Sequence, residues 1–148
     1  MPVKLVCGAV LAVLLSILTG GTVYAKDACV SVSGLQVCVQ VKGPCDIGYL
    51  LSREKSGLKV DLLFVSILNK SSSRVKIVPE NFYGITTRGQ VIAIDTPFYE
   101  SIELKTKLRR KDLGPQESIT GFLFFPSSLG SIRKLVHGGE PFVEVILY

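Results

Sequence analysis

The sequence predicts an all-β sandwich behind an export leader, and three observations predict it. After residue 26, apolar and polar residues alternate with period two over most segments. Clusters of Gly, Pro, Asn and Ser interrupt that alternation at short intervals. No segment of this part shows a convincing helical apolar face; Ser101 to Leu113, where Leu104 and Leu108 fit either period, is the one ambiguous stretch. Period two is the side-chain repeat of a half-buried strand, and many short strands between turns are what a sandwich is built from.

The leader comes first in the chain. Lys4 and the amino terminus give a positive start, and an apolar run from Leu5 to Leu18 follows. Thr19-Gly20-Gly21 breaks any helix, and Val23-Tyr24-Ala25 supplies the small residues a signal peptidase admits. An apolar core of 14 residues suits a signal and is short for a bilayer span of roughly 20. Residues 1–25 are therefore expected to be a signal peptide and residues 26–148 one domain. With no charge between Lys4 and Lys26, an uncleaved signal anchor is the alternative, and only that alternative implies a membrane partner. Cleavage leaves 123 of the 148 residues, with 16 Lys and Arg against 12 Asp and Glu, a mild +4 that does not select a partner. The expected location is secreted or periplasmic.

Strands follow in order. Val30 to Val32 and Leu35 to Val41 alternate cleanly on either side of Ser33-Gly34. Leu58 to Leu68 is dense in Val, Leu, Ile and Phe, as a central strand should be, and ends in the turn residues Asn69 to Ser73. Arg74 to Val78 alternates until Pro79, which has no N–H to pair. Phe82 to Thr87 and Gln90 to Ile94 flank Arg88-Gly89 as a hairpin. Ser118 to Phe125, Ile132 to Val136 and Phe142 to Leu147 complete a set of about eight or nine strands.

Several of these motifs resemble a family of small secreted bacterial immunoglobulin-like domains of unknown function, a group related to the mycobacterial immunoprotective antigen sandwich. They are Val60-Asp61-Leu62 running to Asn69, Glu80-Asn81-Phe82 before Thr87-Arg88-Gly89-Gln90, and Leu113 to Gly121 leading into Phe122 to Pro126. The last opens with Gly114-Pro115-Gln116-Glu117, in a different order from the family's Leu-x-Pro-Gly-Glu-Ser pattern. The resemblance implies an immunoglobulin-like antiparallel β-sandwich. It implies no chemistry, because each motif is structural.

Cysteines are the most informative chemical feature. Cys7 leaves with the leader, so Cys29, Cys38 and Cys45 remain. If Ser33-Gly34 is a two-residue hairpin loop, Cys29 faces Cys38 in a non-hydrogen-bonded pair. Such pairs bring Cα atoms to about 4.5 Å, within disulfide reach. The bridge would lie on the outer surface, off the valine face. Rival pairings through Cys45, which follows the Gly43-Pro44 turn, and a fully reduced set stay open. A metal or redox role needs Cys-x-x-Cys spacing or histidine partners, and neither occurs near these residues.

Lys105, Lys107, Arg109, Arg110 and Lys111 form the densest basic run. Were Ile102 to Leu108 a strand, Glu103, Lys105, Lys107 and Arg109 would share its outward row. That row would be an anion-binding patch, or a solvated strand whose lysines deter edge pairing. Nucleic acid is not expected, because export separates the chain from it. His137, the single histidine, sits in a Gly-rich stretch and reads as a surface turn residue, with no nucleophile or acid marked beside it. Asp61 and Asp95 are weak candidates for a calcium site, and Tyr49, Tyr83, Phe98 and Tyr99 for a recognition surface, though aromatic residues more often fill a core. No catalytic residue, cofactor or metal site is assigned. The expected function is an exported, non-enzymatic binding or interaction module of the cell envelope, taking an unknown envelope protein or glycan. A small enzyme or enzyme inhibitor and an edge-strand chaperone are the alternatives.

Overall fold

The computed structural model describes residues 27–46, 48, 59–126 and 131–147. The leader expected over residues 1–25 and Tyr49 lie outside these residues. Among the described residues the elements are β1 (Ala28–Val32), β2 (Leu35–Asp46), β3 (Lys59–Asn69), β4 (Val75–Ile77), a 3-10 turn (Pro79–Asn81), β5 (Phe82–Thr86), β6 (Val91–Ala93), the short helix α1 (Thr96–Ser101), β7 (Lys111–Leu113), β8 (Ser118–Pro126), β9 (Ile132–His137) and β10 (Val143–Ile146). The first sheet has the order β1-β2-β3-β8 and the second β10-β9-β5-β6, while β4 and β7 form a two-stranded ribbon. All pairings between these strands are antiparallel, so the chain is an all-β sandwich. Among the described residues no helix is long and apolar enough to cross a membrane.

The first hairpin forms as its residues dictate. Ser33 and Gly34 both take positive φ, 50° and 85°, which is the twist a two-residue hairpin loop requires. Val32 then faces Leu35 and Cys29 faces Cys38. The two cysteines are bonded, with Cα atoms 4.1 Å apart, and the bridge lies on the outer side of the sheet. Their valine neighbours turn inward: Val37 and Val39 are buried, and Val30 and Val32 pack against the core. Cys45 differs from its expected setting. It stands on β2 rather than in a turn, beyond a register shift between Val41 and Gly43, and Gly43 takes φ 83° there. That shift encloses it at 2% exposure, and none of the described cysteines is a free thiol.

β3 is the axis of the first sheet, paired along its length to β2 on one side and β8 on the other. Its inward row of Leu63, Val65 and Ile67 joins Leu35, Val37 and Val39 from β2 and Leu123 and Phe125 from β8. The second sheet contributes Phe82, Ile92, Leu135, Val143 and Val145 to the same core. β3 ends at Asn69, which is fully buried. Its Nδ2 donates to the carbonyls of Ser73 (2.7 Å), Leu113 (3.0 Å) and Gly114 (3.2 Å). Its Oδ1 accepts from Ser71 N (3.0 Å) and Ser71 Oγ (2.7 Å). One amide thus anchors the turn after β3 to the turn before β8.

The segment between β6 and β7 differs from its expected form. Asp95 caps a helical turn, its Oδ1 accepting from Phe98 N at 3.3 Å, and Pro97 suits the first turn of a helix. Residues 102–110 are therefore not a strand. They wrap the outer edge of β8, with Leu108 N donating to Phe122 O (2.9 Å) and Phe122 N to Thr106 O (2.8 Å). This covers an edge that would otherwise offer unpaired backbone groups. Gly121 makes the approach possible, because a Cβ there would sit 2.5 Å from both the Cα and the N of Leu108.

Two measurements check this framework. Gly121→Ala is expected to lower unfolding stability by about 1–3 kcal/mol in urea, since backbone rather than a movable side chain blocks the new methyl. Gly84→Ala, which meets only the Ile132 side chain at 3.0–3.2 Å, should lose less. Separately, the tryptic peptide 27–42 should run two hydrogens lighter before reduction than after, and Cys29→Ser/Cys38→Ser should cost no more than about 3 kcal/mol.

Candidate functional site

The basic run does not form one outward row. Lys107 is buried at 7% exposure, while Lys105, Arg109, Arg110 and Lys111 are exposed. Lys107 turns inward because the end of α1 leaves carbonyls that need donors. Its Nζ donates to Tyr99 O and Ile102 O, both at 2.9 Å, and lies 5.0 Å from the Tyr99 ring centroid. Burial draws the ammonium below its ordinary value, and Glu100 opposes that shift. Tyr99 stacks on Phe124 at 4.5 Å and shares its hydroxyl proton between Leu108 O (2.7 Å) and Phe122 O (3.0 Å). That setting pushes the phenol upward, chiefly by burial.

Two of the remaining cations have local partners. Arg109 Nη2 donates to Leu104 O at 3.2 Å. Arg110 pairs with Glu80 and, at 3.5 Å, with Glu100. An open cleft of about 420 Å³ lies here, lined by Glu100, Ile102, Glu103, Lys105, Lys107 and Arg109. Its two acids stand among three bases, so its field is mixed. Lys111 is on β7, opposite Ile77 of β4.

His137 also differs from its expected setting. It ends β9, pairs with both Phe82 and Val143, and is 1% exposed. β9 runs one residue further than the turn residues suggested, and period two then places His137 on the same inward face as Leu135. Its ring lies 4.9 Å from the Phe82 ring, and Nδ1–H donates to Pro141 O at 3.0 Å. Nε2 is buried and, among the described residues, meets no hydrogen-bond partner. Gly139 is needed beside it, since a Cβ there would lie 3.0 Å from the ring. The two candidate calcium acids are apart: Asp95 caps α1, and Asp61 lies on β3 opposite Pro44 and Phe125. Among the described residues no group of three or more His, Cys, Asp or Glu is placed to hold a metal.

The surface that stands out is the outer face of the second sheet. The register places Ile146, Lys134, Ile85 and Val91 in one row across its four strands. Glu144, Val136, Tyr83 and Ala93 form the next row, with Phe142 beyond them on the β10 side. Val91 is 64% exposed, Phe142 53% and Ile146 59%, the most exposed large apolar residues described. One ion pair interrupts the apolar surface, Lys134 Nζ to Glu144 Oε2 at 3.7 Å. The outer face of the first sheet carries Ser31, Gln36, Gln40, Ser66, Ser118 and Thr120 around the disulfide, together with half-buried Leu68 and the edge-to-face pair of Phe64 and Phe122 at 5.1 Å. Sequence reasoning did not find the apolar face, although a signal for it is present. Phe82 with Tyr83, Leu135 with Val136, and Val145 with Ile146 are apolar on both alternating positions, as strands covered on both sides are.

His137 yields a pH test with a definite sign. Burial holds the ring below its ordinary value of 6.5, and only the Pro141 bond opposes that. The unfolded chain therefore takes up the proton first. The histidine's contribution is full above pH about 6.5 and is lost as pH falls through that value toward the lower folded one. Unfolding stability should decline between pH 7 and 5 in the native protein and decline less in His137→Gln; equal slopes would show that the ring does not titrate on unfolding.

No protein-family model and no curated protein matches the sequence. Among solved structures, the fold is similar to the 1.5 Å crystal structure of MPT63, a secreted protein from Mycobacterium tuberculosis. The two share 9% identity and a TM-score of 0.50, over 82% of this chain and 88% of that one. The likeness bears out the β-sandwich that the sequence motifs implied, and this chain is related in fold to that mycobacterial sandwich.

Proposed function

We propose that the chain is exported and acts as a non-enzymatic binding module in the periplasm or outside the cell, contacting a protein through the outer face of its second sheet. The apolar character of that face is the observation that carries the proposal. Exposed apolar residues on a sheet face mark an interaction site, and Val91 on β6 with Phe142 and Ile146 on the β10 side are the most exposed large apolar residues described, whereas the apolar residues of the disulfide face, Phe64, Leu68 and Phe122, are half-buried. A protein fits this chemistry better than a glycan, which needs more polar groups than one ion pair. Export is supported by the leader-like residues 1–25 and by the secreted character of the fold relative.

An edge-strand chaperone finds less support. Residues 106–108 cover the β8 edge, and the exposed β6 edge is three residues long. An enzymatic reading draws no support from His137, whose Nδ1 is taken by a backbone carbonyl and whose Nε2 is buried and, among the described residues, meets no hydrogen-bond partner.

Photocrosslinking side chains at positions 91 and 146, with position 40 on the opposite sheet as control, test the proposal in envelope extract. Adducts of defined mass are expected from positions 91 and 146 and not from 40. Labelling only from position 40, or no adduct from any position, would overturn it.

A further inference from the structure

We infer that the turn between β9 and β10, residues 138–142, is an acid-opened latch on the second sheet: a proton on His137 opens it and draws Phe142 away from the binding face. The inference rests on the binding proposal and names a regulation of that face.

The setting of the ring carries the inference. His137 ends β9 and pairs with Val143, so residues 138–142 close a loop that returns the chain to β10. The ring lies against this loop. Its Nδ1–H donates to Pro141 O at 3.0 Å, and that carbonyl fixes the tautomer, leaving a lone pair on Nε2. Nε2 is buried and, among the described residues, meets no hydrogen-bond partner. Gly139 lies beside it, close enough that a Cβ there would stand 3.1 Å from Nε2, and the Phe82 ring packs on the imidazole at 4.9 Å.

A proton turns that lone pair into a charged donor with no acceptor, and a buried charge without a partner is costly. The ionisable groups around the ring do not offset it. Glu80, on the 3-10 turn before β5, is paired with Arg110, and Glu144 on β10 with Lys134 of β9. Arg133 on β9 and Glu140 in the turn are exposed, and Tyr83 of β5 lies against Gly138. None of them bears on the basicity of the ring, which burial lowers and only the Pro141 bond raises.

The turn is the side that yields. Phe82 is held in the core, whereas Gly138 is exposed and Gly139 half-buried, so a small opening brings water to Nε2. One backbone bond, Gly138 N to Asn81 O at 2.8 Å, ties the turn to the 3-10 turn. Phe142 directly follows Pro141, is exposed on the β10 side of the face, and moves with the turn. The sign is fixed by the two states of the ring. Open, it takes the proton at its ordinary value of 6.5; closed, only below that value, so acid favours the open turn. Between pH 7 and 5 the ratio of open to closed rises by up to about 25-fold.

Amide hydrogen exchange of the purified protein at pH 7 and pH 5, corrected for the intrinsic rate at each, tests the latch. Protection of the Gly138 amide should fall by about 5- to 25-fold at pH 5. At both values it should stay at least about tenfold below that of Leu135 in the middle of β9, as a turn that opens without the sheet requires. His137→Gln, which cannot take the proton, should show equal Gly138 protection at the two values, and its Leu135 amide reports that it is folded. In envelope extract, adducts from a photocrosslinking side chain at position 146 should fall at pH 5 in the native protein and not in His137→Gln. Gly138 protection that is equal at pH 7 and 5, that matches the protection of Leu135, or that falls equally in His137→Gln overturns the inference. If position 146 crosslinks at pH 7 and equally at pH 5, the inference falls and the binding proposal stands. If it crosslinks at neither, the binding proposal falls and the regulation with it.

Discussion

The register of β3 is the constraint on which the rest of the structure depends. Paired on both flanks, this strand fixes which residues of β2 and β8 face inward, and a slip of one residue would turn every apolar side chain outward. The register is secured at its end by Asn69, whose buried amide holds the turn that follows β3 and the turn that opens β8. Lys70 N donates to Gly34 O at 2.7 Å, which adds the first hairpin to the same junction. From there the consequences run outward. Once β2 is fixed, β1 is fixed through the two-residue loop, and Cys29 meets Cys38 because no other pairing of that hairpin is compatible with it.

A sandwich closed in this way still has edges and faces to manage. The β8 edge is closed by chain rather than by charge, with Leu108 pressed against Gly121 and Lys107 satisfying the carbonyls at the end of α1. Lys107, which an outward strand row would have offered to an anion or to solvent, is an internal clasp. At the opposite end, β1 and β10 lie against each other. The outer surfaces of the two sheets differ: one sets polar residues and the half-buried Phe64, Leu68 and Phe122 around a disulfide, and the other carries the most exposed large apolar residues described, Val91, Phe142 and Ile146, beside one ion pair. Burial of the core explains both inner faces. It does not explain the exposed Val91, Phe142 and Ile146, and the proposed function rests on them.

How much of this was legible in the sequence can be judged residue by residue. The hairpin at Ser33-Gly34 and the face of Val37 and Val39 were legible because period two and turn chemistry are local. The Cys29–Cys38 pair followed from them by counting. Asn69 and Gly121 were visible as motif residues, but their roles depend on segments about 45 and 13 positions away. α1 was missed because six residues are too few to show a helical period, and only Asp95 with Pro97 marks its start. Lys107 and His137 were placed on the surface by residue type. Each is buried because specific carbonyls, those of Tyr99, Ile102 and Pro141, stand where its nitrogen can reach. The candidate site was hidden for a different reason: an apolar residue on a strand is read as core until the sheet order shows which face it occupies.

The central claim is that the outer face of the β10-β9-β5-β6 sheet is the working surface of this domain. Backbone amide chemical shifts, followed by NMR as envelope extract is added to the isotope-labelled protein, test it most directly. The account expects shifts or broadening at Ile85, Val91, Lys134, Glu144 and Ile146, and none around Cys29, Cys38 and Gln40. Changes confined to the disulfide face, or changes nowhere, would contradict it.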